Sequence, residues 1–433
     1  MGQFDLIKMN FSKLERLLVY RNILEDDIFN EVLSLILSLN RYINHEHSNS
    51  YYQLCHQLLA IAEEEGFQGD LLQCYIMKLI ATDENPFSLA CEKYGFNINP
   101  GLFKAAIHDL TILKEIIQFT LADIGIIIGV GELSFISHYS TGNKKINSPL
   151  YNNSRELKQT FFKEKPEQIV ELLADYYFVA GSGVLCQYSS FRLNNDLEFV
   201  GVIAANTTRF DDIIGYEDQK ERLIENTESF LRGKKANNVL LYGDSGTGKS
   251  SSIKALINKF YDKGLRLIEI KKEEIKNIPY LLEKLNKRGL HFILYMDDLS
   301  FEDFETDYKY LKAVMEGGIE EKPDNVLFYA TTNRKHIIKE KWQDRNDLSE
   351  IHQTDGLEEK LSLSERFGIT ITYLSPDQKE YLEIVKRLAV KNKLYIPEDE
   401  LVDMALKWEK WHHGRSGRTA RQFINYLLGK NVS

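Results

Sequence analysis

Cysteine, uninterrupted apolar sequence and excess positive charge are all scarce in this chain. Its 433 residues hold four cysteines, Cys55, Cys74, Cys91 and Cys186, none in a C-x-x-C or His-paired spacing. A cysteine-ligated metal site or a disulfide framework is therefore not expected, and buried thiols in a reducing compartment are. The longest apolar run, around Ile124 to Val130, is interrupted by Gly125 and Gly129 and is too short to span a bilayer. No basic segment followed by an apolar core opens the chain, so the expectation is no signal peptide, no membrane and a cytoplasmic location. The formal net charge of −10 argues against a general nucleic-acid coat, while leaving room for a local basic patch.

Hydrophobic residues make up 43 % of the chain, a globular composition, and the length predicts two or three domains. Residues 1–204 read as a mostly helical region. Ile28, Val32, Leu33, Ile36 and Leu37 recur at three-and-four spacing, and Leu54, Leu58, Leu59 and Ile61 resume it past a polar break at Asn44 to Ser50. His45, His47 and His56 lack a further ligand at metal spacing and read as a solvated loop. Pro86, in Glu84-Asn85-Pro86-Phe87, starts another helix, and Gly129-Val130-Gly131 reads as a turn. Residues 136–165, rich in Ser, Asn and Lys, read as an exposed connection. A helix from Pro166 runs into Gly181-Ser182-Gly183, and the alternation that follows suggests a hairpin with no assigned chemistry. The character changes at Phe210, which sets the expected domain boundary near 205.

From there apolar strands alternate with helices, the signature of a mostly parallel sheet covered on both faces. The strands expected are Asn238–Tyr242, Leu265–Ile270, His291–Met296, Asn325–Thr331 and Ile369–Leu374. After Pro376 the pattern is helical only: Tyr381–Lys391, Glu398–Trp411 and Thr419–Leu428. The organisation is thus an α/β core over 205–375 and a helical lid over 376–433, where nucleotide state could become movement.

The core is arranged around Gly243-Asp244-Ser245-Gly246-Thr247-Gly248-Lys249-Ser250, a phosphate-binding loop in strand, loop, helix context. Three glycines let backbone N–H groups wrap phosphate oxygens, and the following helix adds its positive end. Lys249 would reach the terminal phosphates, and the Ser250 hydroxyl would ligate Mg²⁺. The bland alternative is a glycine-rich turn.

Phe292-Ile293-Leu294-Tyr295-Met296-Asp297-Asp298 is an apolar strand ending in two carboxylates, where ligands bind in open α/β sheets. Asp297 suits Mg²⁺ through water, and Asp298, one methylene shorter than the usual Glu, suits polarising the attacking water. Glu302 is a second candidate for that task; a solvated acidic strand end is the alternative to both. If the strand ending in Asn333 lies beside the phosphate-loop strand, Asn333 can meet both the γ-phosphate and the water; otherwise it is a cap or turn residue. Arg366, in Ser364-Glu365-Arg366-Phe367-Gly368, reads as an arginine offered to a neighbouring subunit's γ-phosphate, or as a surface ion pair with Glu365. Arg418, opening the last helix, could lie over the phosphates, with Arg415 and Arg421 as competitors and a basic patch as the alternative.

Taken together, Gly243 to Ser250, Tyr295 to Asp298, Thr331 to Asn333, Glu365 to Gly368 and Gly414 to Phe423 resemble an AAA+ ATPase, with Walker A and Walker B segments in order. The wording Asp297-Asp298-Leu299-Ser300-Phe301-Glu302, Leu361 to Gly368 and Arg415 to Phe423 is similar to a bacterial AAA+ family of unknown function. The resemblance is dense over about 205–430 and thin upstream, at Asn85-Pro86-Phe87 and Gly181-Ser182-Gly183. It implies that Asp212 to Gly215, with Ile214 and Gly215 among them, flank an adenine pocket. It also implies that Lys249, Ser250, Asp297, Asp298, Asn333, Arg366 and Arg418 take the roles given above. The Asp-Asp strand end is similar to that of helicase-loader and transposase-helper ATPases.

The leading expectation is an ATP- and Mg²⁺-dependent hydrolase that remodels, loads or assembles a macromolecular client, more readily a protein than a nucleic acid. It would work as a homo-oligomeric ring or filament, since an arginine acting in trans needs a head-to-tail interface. Polypeptide threading is disfavoured, because Lys271 to Tyr280 lacks an aromatic-glycine pair. The alternative is a nucleotide-gated adaptor with slow hydrolysis whose N-terminal helices bind a protein. Nucleic-acid loading through Lys271, Lys272, Arg415, Arg418 and Arg421 is a third reading.

Overall fold

A computed structural model describes residues 3–39, 45–131, 133–141, 160–202, 208–300, 307–316, 322–333, 365–412 and 414–430. Two compact units divide the chain: Met1–Ser189 with Arg288–Leu290, and Ser190–Lys287 with His291–Ser433.

The first unit is helical, as its periodicity predicts. Its helices are α1 (Gln3–Ser12), α2 (Asp27–Ser38), α3 (His45–Glu65), α4 (Leu71–Thr82), α5 (Pro86–Tyr94), α6 (Pro100–Ile116), α7 (Leu121–Ile128), α8 (Ser134–Ser137) and α9 (Pro166–Ala180). Side-chain caps start many of them: Asp26 accepts from Phe29 N, Asp70 from Gln73 N, and Asn85 forms a reciprocal box with Ser88 ahead of Pro86. Phe11, Tyr20, Phe29, Phe87 and Tyr177 fill the core without exposure. A two-residue antiparallel pair, β1 (Gln68–Gly69) with β2 (Tyr139–Ser140), is the unit's small sheet.

One expectation fails in this unit. His45 to Ser50 is the opening of α3 and not a loop, because this polar segment contains neither Gly nor Pro and the amphipathic helix beyond it propagates backwards. The turn expected at Gly129-Val130-Gly131 begins with Gly129 as the C-cap of α7, at φ 77. Of the expected connection over 136–165, residues 142–159 lie outside the described residues.

The second unit is built on a seven-stranded sheet: β3 (Ser190–Leu193), β4 (Phe199–Gly201), β5 (Val239–Gly243), β6 (Leu265–Glu269), β7 (His291–Met296), β8 (Val326–Thr332) and β9 (Ile369–Tyr373), in the order β4-β3-β6-β7-β8-β5-β9. The five strands expected after 205 form where their apolar runs placed them, all parallel. The hairpin is β3 and β4, and it joins this sheet through parallel pairing of Ser190 with Leu267. The sheet thus starts ahead of the boundary expected near 205, because pairing with a strand some seventy residues on leaves no local trace in composition.

Helices α10 (Glu217–Leu231), α11 (Lys249–Phe260), α12 (Ile278–Asn286) and α13 (Asp307–Glu316) accompany the sheet. Leu223, Phe230, Ile253, Leu256 and Phe260 bury their side chains against Leu241, Ile293, Leu327 and Ile371. After β9 come α14 (Gln378–Lys391), α15 (Glu398–Trp411) and α16 (Gly417–Gly429), which form a small core of their own around Tyr381, Val385, Ala405, Phe423 and Ile424. This is the α/β phosphate-loop core with a helical lid that the AAA+ resemblance implied. Because β5 lies between β8 and β9, its carboxyl end opens between two neighbouring parallel strands, where open sheets hold ligands. Among the described residues, no helix is long and apolar enough to cross a membrane.

Candidate functional site

The loop that leaves β5 is as tight as its glycines require. A Cβ on Gly243, φ 140, would lie 1.9 Å from Tyr373 O, and one on Gly246, φ 79, would lie 2.9 Å from Ser416 Oγ. Any side chain at either position would push the loop off β9 or off the start of α16. The loop ends in the first turn of α11, whose amino end points at the same space.

Lys249, 6 % exposed, is folded back on this loop. Its Nζ donates to Gly243 O at 2.7 Å, Asp244 O at 2.6 Å and Asn333 Oδ1 at 2.7 Å. Burial pushes the ammonium below the ordinary lysine range, against the pull of Asp244, Asp298 and Asp297. All three acceptors are uncharged, so an anion at this place is a stronger partner than any of them.

At the ends of β7 and β8 the two aspartates meet the phosphate loop. The Ser250 hydroxyl donates to Asp297 Oδ1 at 2.7 Å, and the Thr331 hydroxyl donates to the same oxygen at 2.6 Å. Partial desolvation works against ionisation of Asp297, but the hydrogen-bonded Thr331 and Ser250 hydroxyls help outweigh it and hold the carboxyl below its ordinary value. Asn333 Nδ2 donates to Asp298 Oδ1 at 3.0 Å. Asp298 itself sits in the left-handed region at φ 51. The side-by-side hydroxyl and ionised carboxylate form a hard, all-oxygen donor set, which suits Mg²⁺ with waters and phosphate oxygens completing its shell. No cluster of three or more His, Cys, Asp or Glu able to hold a metal occurs among the described residues.

The lid closes the other side. Arg418 N donates to Gly246 O at 3.1 Å, and its Nη1 lies 3.3 Å from Ser245 Oγ. Arg415 is committed elsewhere, to Glu409 at 2.7 and 3.0 Å. Arg421 reaches Asp212 O at 3.5 Å, and Lys391 pairs with the Asp212 carboxylate. Of the three arginines considered for the phosphates, Arg418 and Arg421 therefore line the cavity and Arg415 does not. The cavity measures about 550 Å³. Its lining includes the charged Lys249, Asp297 and Arg418 and the apolar Ile213, Ile214, Ile384 and Leu388.

Ser245, Gly246, Thr247, Gly248, Lys249, Ser250, Asp297, Asp298, Asn333, Arg418 and Ile214 all face this one cavity. Asn333 is there because β8 pairs directly with β5, the condition set by the sequence. Gly215 instead lines the adjoining cavity of about 700 Å³, on the side of Tyr216 and Pro376. Gly243 and Asp244 do not line the first cavity either. The Asp244 carboxylate accepts from Ser375 N at 2.8 Å, and those bonds hold its pKa below the ordinary range. Arg366 is exposed, just ahead of β9. Five strand residues at ~3.3 Å each put it about 17 Å along the sheet from the loop end, so it does not join its own chain's cavity. Glu302 lies outside the described residues. Asp244, expected among the nucleotide-binding loop residues, spends its carboxylate on Ser375 N instead, and Thr331 carries no signal in the sequence, where a threonine in an apolar strand reads only as a strand former.

A family described as "Protein of unknown function (DUF815)" matches residues 186–431, which starts beyond Asn85-Pro86-Phe87 and Gly181-Ser182-Gly183. Among curated proteins, the chain is similar to the chromosomal replication initiator protein DnaA of Helicobacter pylori (strain Shi470), 25 % identical over 167 residues, covering 38 % of this chain and 34 % of that protein. It is similar too to DnaA of Leifsonia xyli subsp. xyli, 26 % identical over 182 residues, covering 40 % and 34 %. A shorter match joins it to the ORC1-type DNA replication protein 1 of Sulfurisphaera tokodaii, 40 % identical over 47 residues, 11 % of this chain and 12 % of that one. The matched segment is thus about a third of the length of the DnaA relatives. Among solved structures, the Thermotoga maritima RuvB Holliday junction branch migration motor is similar at 20 % identity and a TM-score of 0.36, over 52 % of this chain and 65 % of that chain.

Proposed function

This chain belongs to the DUF815 family of proteins of unknown function, and we propose that it is a Mg²⁺-dependent AAA+ ATPase that remodels, loads or assembles a macromolecular client. The observation that carries the proposal is the convergence, within one cavity, of Lys249, of Ser250 and Asp297 joined at 2.7 Å, and of Asn333 and Asp298 joined at 3.0 Å.

Each residue then has a task set by its surroundings. Loop N–H groups from Ser245 to Ser250 cradle the phosphates, and Lys249 exchanges its carbonyl partners for phosphate oxygens. Ser250 and Asp297 hold Mg²⁺, which when bound neutralises charge on the transferring phosphoryl group. Asp298 accepts a hydrogen bond from the attacking water, and Asn333 orients that water. Ile213, Ile214, Ile384 and Leu388 take the base, and Arg418 brings the lid against the phosphates. Arg366, remote from its own cavity and exposed, serves a neighbouring copy, so the active form is a head-to-tail homo-oligomer, a ring or a filament. Turnover should therefore rise more steeply than linearly with protein concentration across the assembly range. Strict proportionality there contradicts the trans role of Arg366.

A second reading, a nucleotide-gated adaptor with slow turnover, is favoured by one observation: the short Asp298 side chain is already engaged by Asn333. Tight nucleotide binding with no multiple turnover selects it. A protein client is preferred to nucleic acid on the net charge of −10. The DNA-replication names of the matched proteins are the reason to assay salt-dependent DNA binding alongside.

A further inference from the structure

We infer that Thr331 is a positioning residue, a clip on β8 that fixes the metal-side and water-side aspartates relative to each other. The inference rests on the ATPase reading above and names the part that aligns its two carboxylates.

Thr331 is the sixth of the seven residues of β8 and is 2 % exposed. Alternation along the strand puts Tyr329, Thr331 and Asn333 on one face. Tyr329 points into the core, where its hydroxyl meets Asn226 at 3.0 Å and Thr227 at 2.9 Å. Thr331, one step nearer the strand end, makes three bonds to three consecutive residues. Its hydroxyl donates to Asp297 Oδ1 at 2.6 Å and accepts from Asp298 N at 2.8 Å, and its carbonyl accepts from Leu299 N at 2.7 Å.

The middle residue of that triplet is the strained one. Asp298 has φ 51, a region disfavoured for a residue with a Cβ, and such a conformation persists only where its surroundings over-determine it. The backbone N–H groups of Asp298 and of the residue after it both go to Thr331. Without the hydroxyl, the backbone is released to relax to negative φ, which would turn the Asp298 carboxylate away from Asn333.

The same hydroxyl explains how Asp297 stays fixed when a metal arrives. Ser250 and Thr331 both donate to Oδ1, so Oδ2 remains for a metal or its water. Once Ser250 turns to a cation, Thr331 still anchors Oδ1. Valine matches threonine in shape but supplies no hydroxyl, whereas serine supplies the hydroxyl with less packing.

The test compares Thr331→Val, Thr331→Ser and wild type as the whole chain, each confirmed folded by thermal melting. Mn²⁺ affinity in the presence of a non-hydrolysable ATP analogue, read by electron paramagnetic resonance, should fall about 10- to 100-fold in Thr331→Val, the usual cost of losing a partner behind a metal ligand. kcat should fall with it, and Thr331→Ser should restore both to near wild type. A valine variant with wild-type Mn²⁺ affinity and kcat, or a serine variant no better than valine, overturns the clip. A crystal structure of Thr331→Val decides it even if wild type binds no nucleotide, a result that would sink the ATPase reading instead. Negative φ at Asp298 supports the clip, and a φ still in the left-handed region overturns it.

Discussion

Asp109 in the helical unit and Asp297 in the sheet unit are both bound by several donors, yet they are built for opposite ends. Asp109 is 0 % exposed. Its carboxylate takes the backbone N–H groups of Leu18, Val19 and Tyr20 at 2.6 to 3.1 Å and the imidazole of His108 at 2.8 Å. Backbone donors cannot turn away without moving the chain, so this carboxylate is a fixed joint between α6 and the start of the fold. Asp297 faces the cavity, and the hydroxyls of Ser250 and Thr331 converge on one of its oxygens. A hydroxyl can rotate to a new partner, which leaves Asp297 free to exchange ligands. Glu92 belongs with Asp109: it is 1 % exposed and is closed by Arg288 at 2.8 and 2.6 Å and by Gly289 N at 3.0 Å, all within the helical unit.

Neutralising the two aspartates in turn separates these roles. Asp297→Asn should cut ATP turnover about 10²- to 10³-fold, the scale seen when one charge-stabilising group is removed from a reaction site, and leave the melting temperature close to wild type. Turnover assays beside calorimetry check it; a large loss of stability with unchanged turnover per folded molecule would reverse the comparison. Asp109→Asn should do the opposite, costing about 2–3 kcal/mol of unfolding free energy because a buried backbone donor loses its acceptor. Urea unfolding of the variant reads that cost, and its turnover per folded molecule should match wild type.

The smallest effect is expected at Asp244, which sits in the phosphate loop but binds Ser375 N where β9 leads into the lid. Its folded-state pKa is depressed below the unfolded value of about 3.9. The stabilisation is therefore fully present above about pH 4 and is lost as pH falls through the lower folded value. Asp244→Asn carries no such charge, so its stability deficit should be constant at neutral pH and shrink on acidification. A deficit that grows toward low pH contradicts the assignment.

Much of the candidate site is legible in the sequence because glycine spacing, an apolar strand and terminal polar residues report local backbone demands. The phosphate loop and the Asp297-Asp298 strand end stand out on those grounds, and Asn333 does so once its strand is placed beside β5. What stayed hidden depends on register between distant strands. Thr331 clips the Asp297 segment only because β7 and β8 pair with Met296 opposite Ala330. Arg415 competes with Arg418 in the sequence and is removed only by Glu409, six residues before it, which takes its guanidinium. The alternation after Gly183 suggests the hairpin of β3 and β4, but its place at the sheet edge rests on pairing with β6. Tertiary arrangement, not propensity, supplies each of these.

The central claim is that the cavity between the phosphate loop and the paired aspartates holds a magnesium-bound triphosphate through Lys249. Calorimetric titration of the folded 433-residue chain with a non-hydrolysable ATP analogue tests it, with Mg²⁺ and with chelator, on wild type and on Lys249→Ala. The account predicts tight binding that needs Mg²⁺ and weakens by at least about 10-fold in Lys249→Ala, as loss of a charged hydrogen bond of ~1.5–3 kcal/mol requires. No binding by folded wild type, or equal affinity in the two proteins, contradicts it.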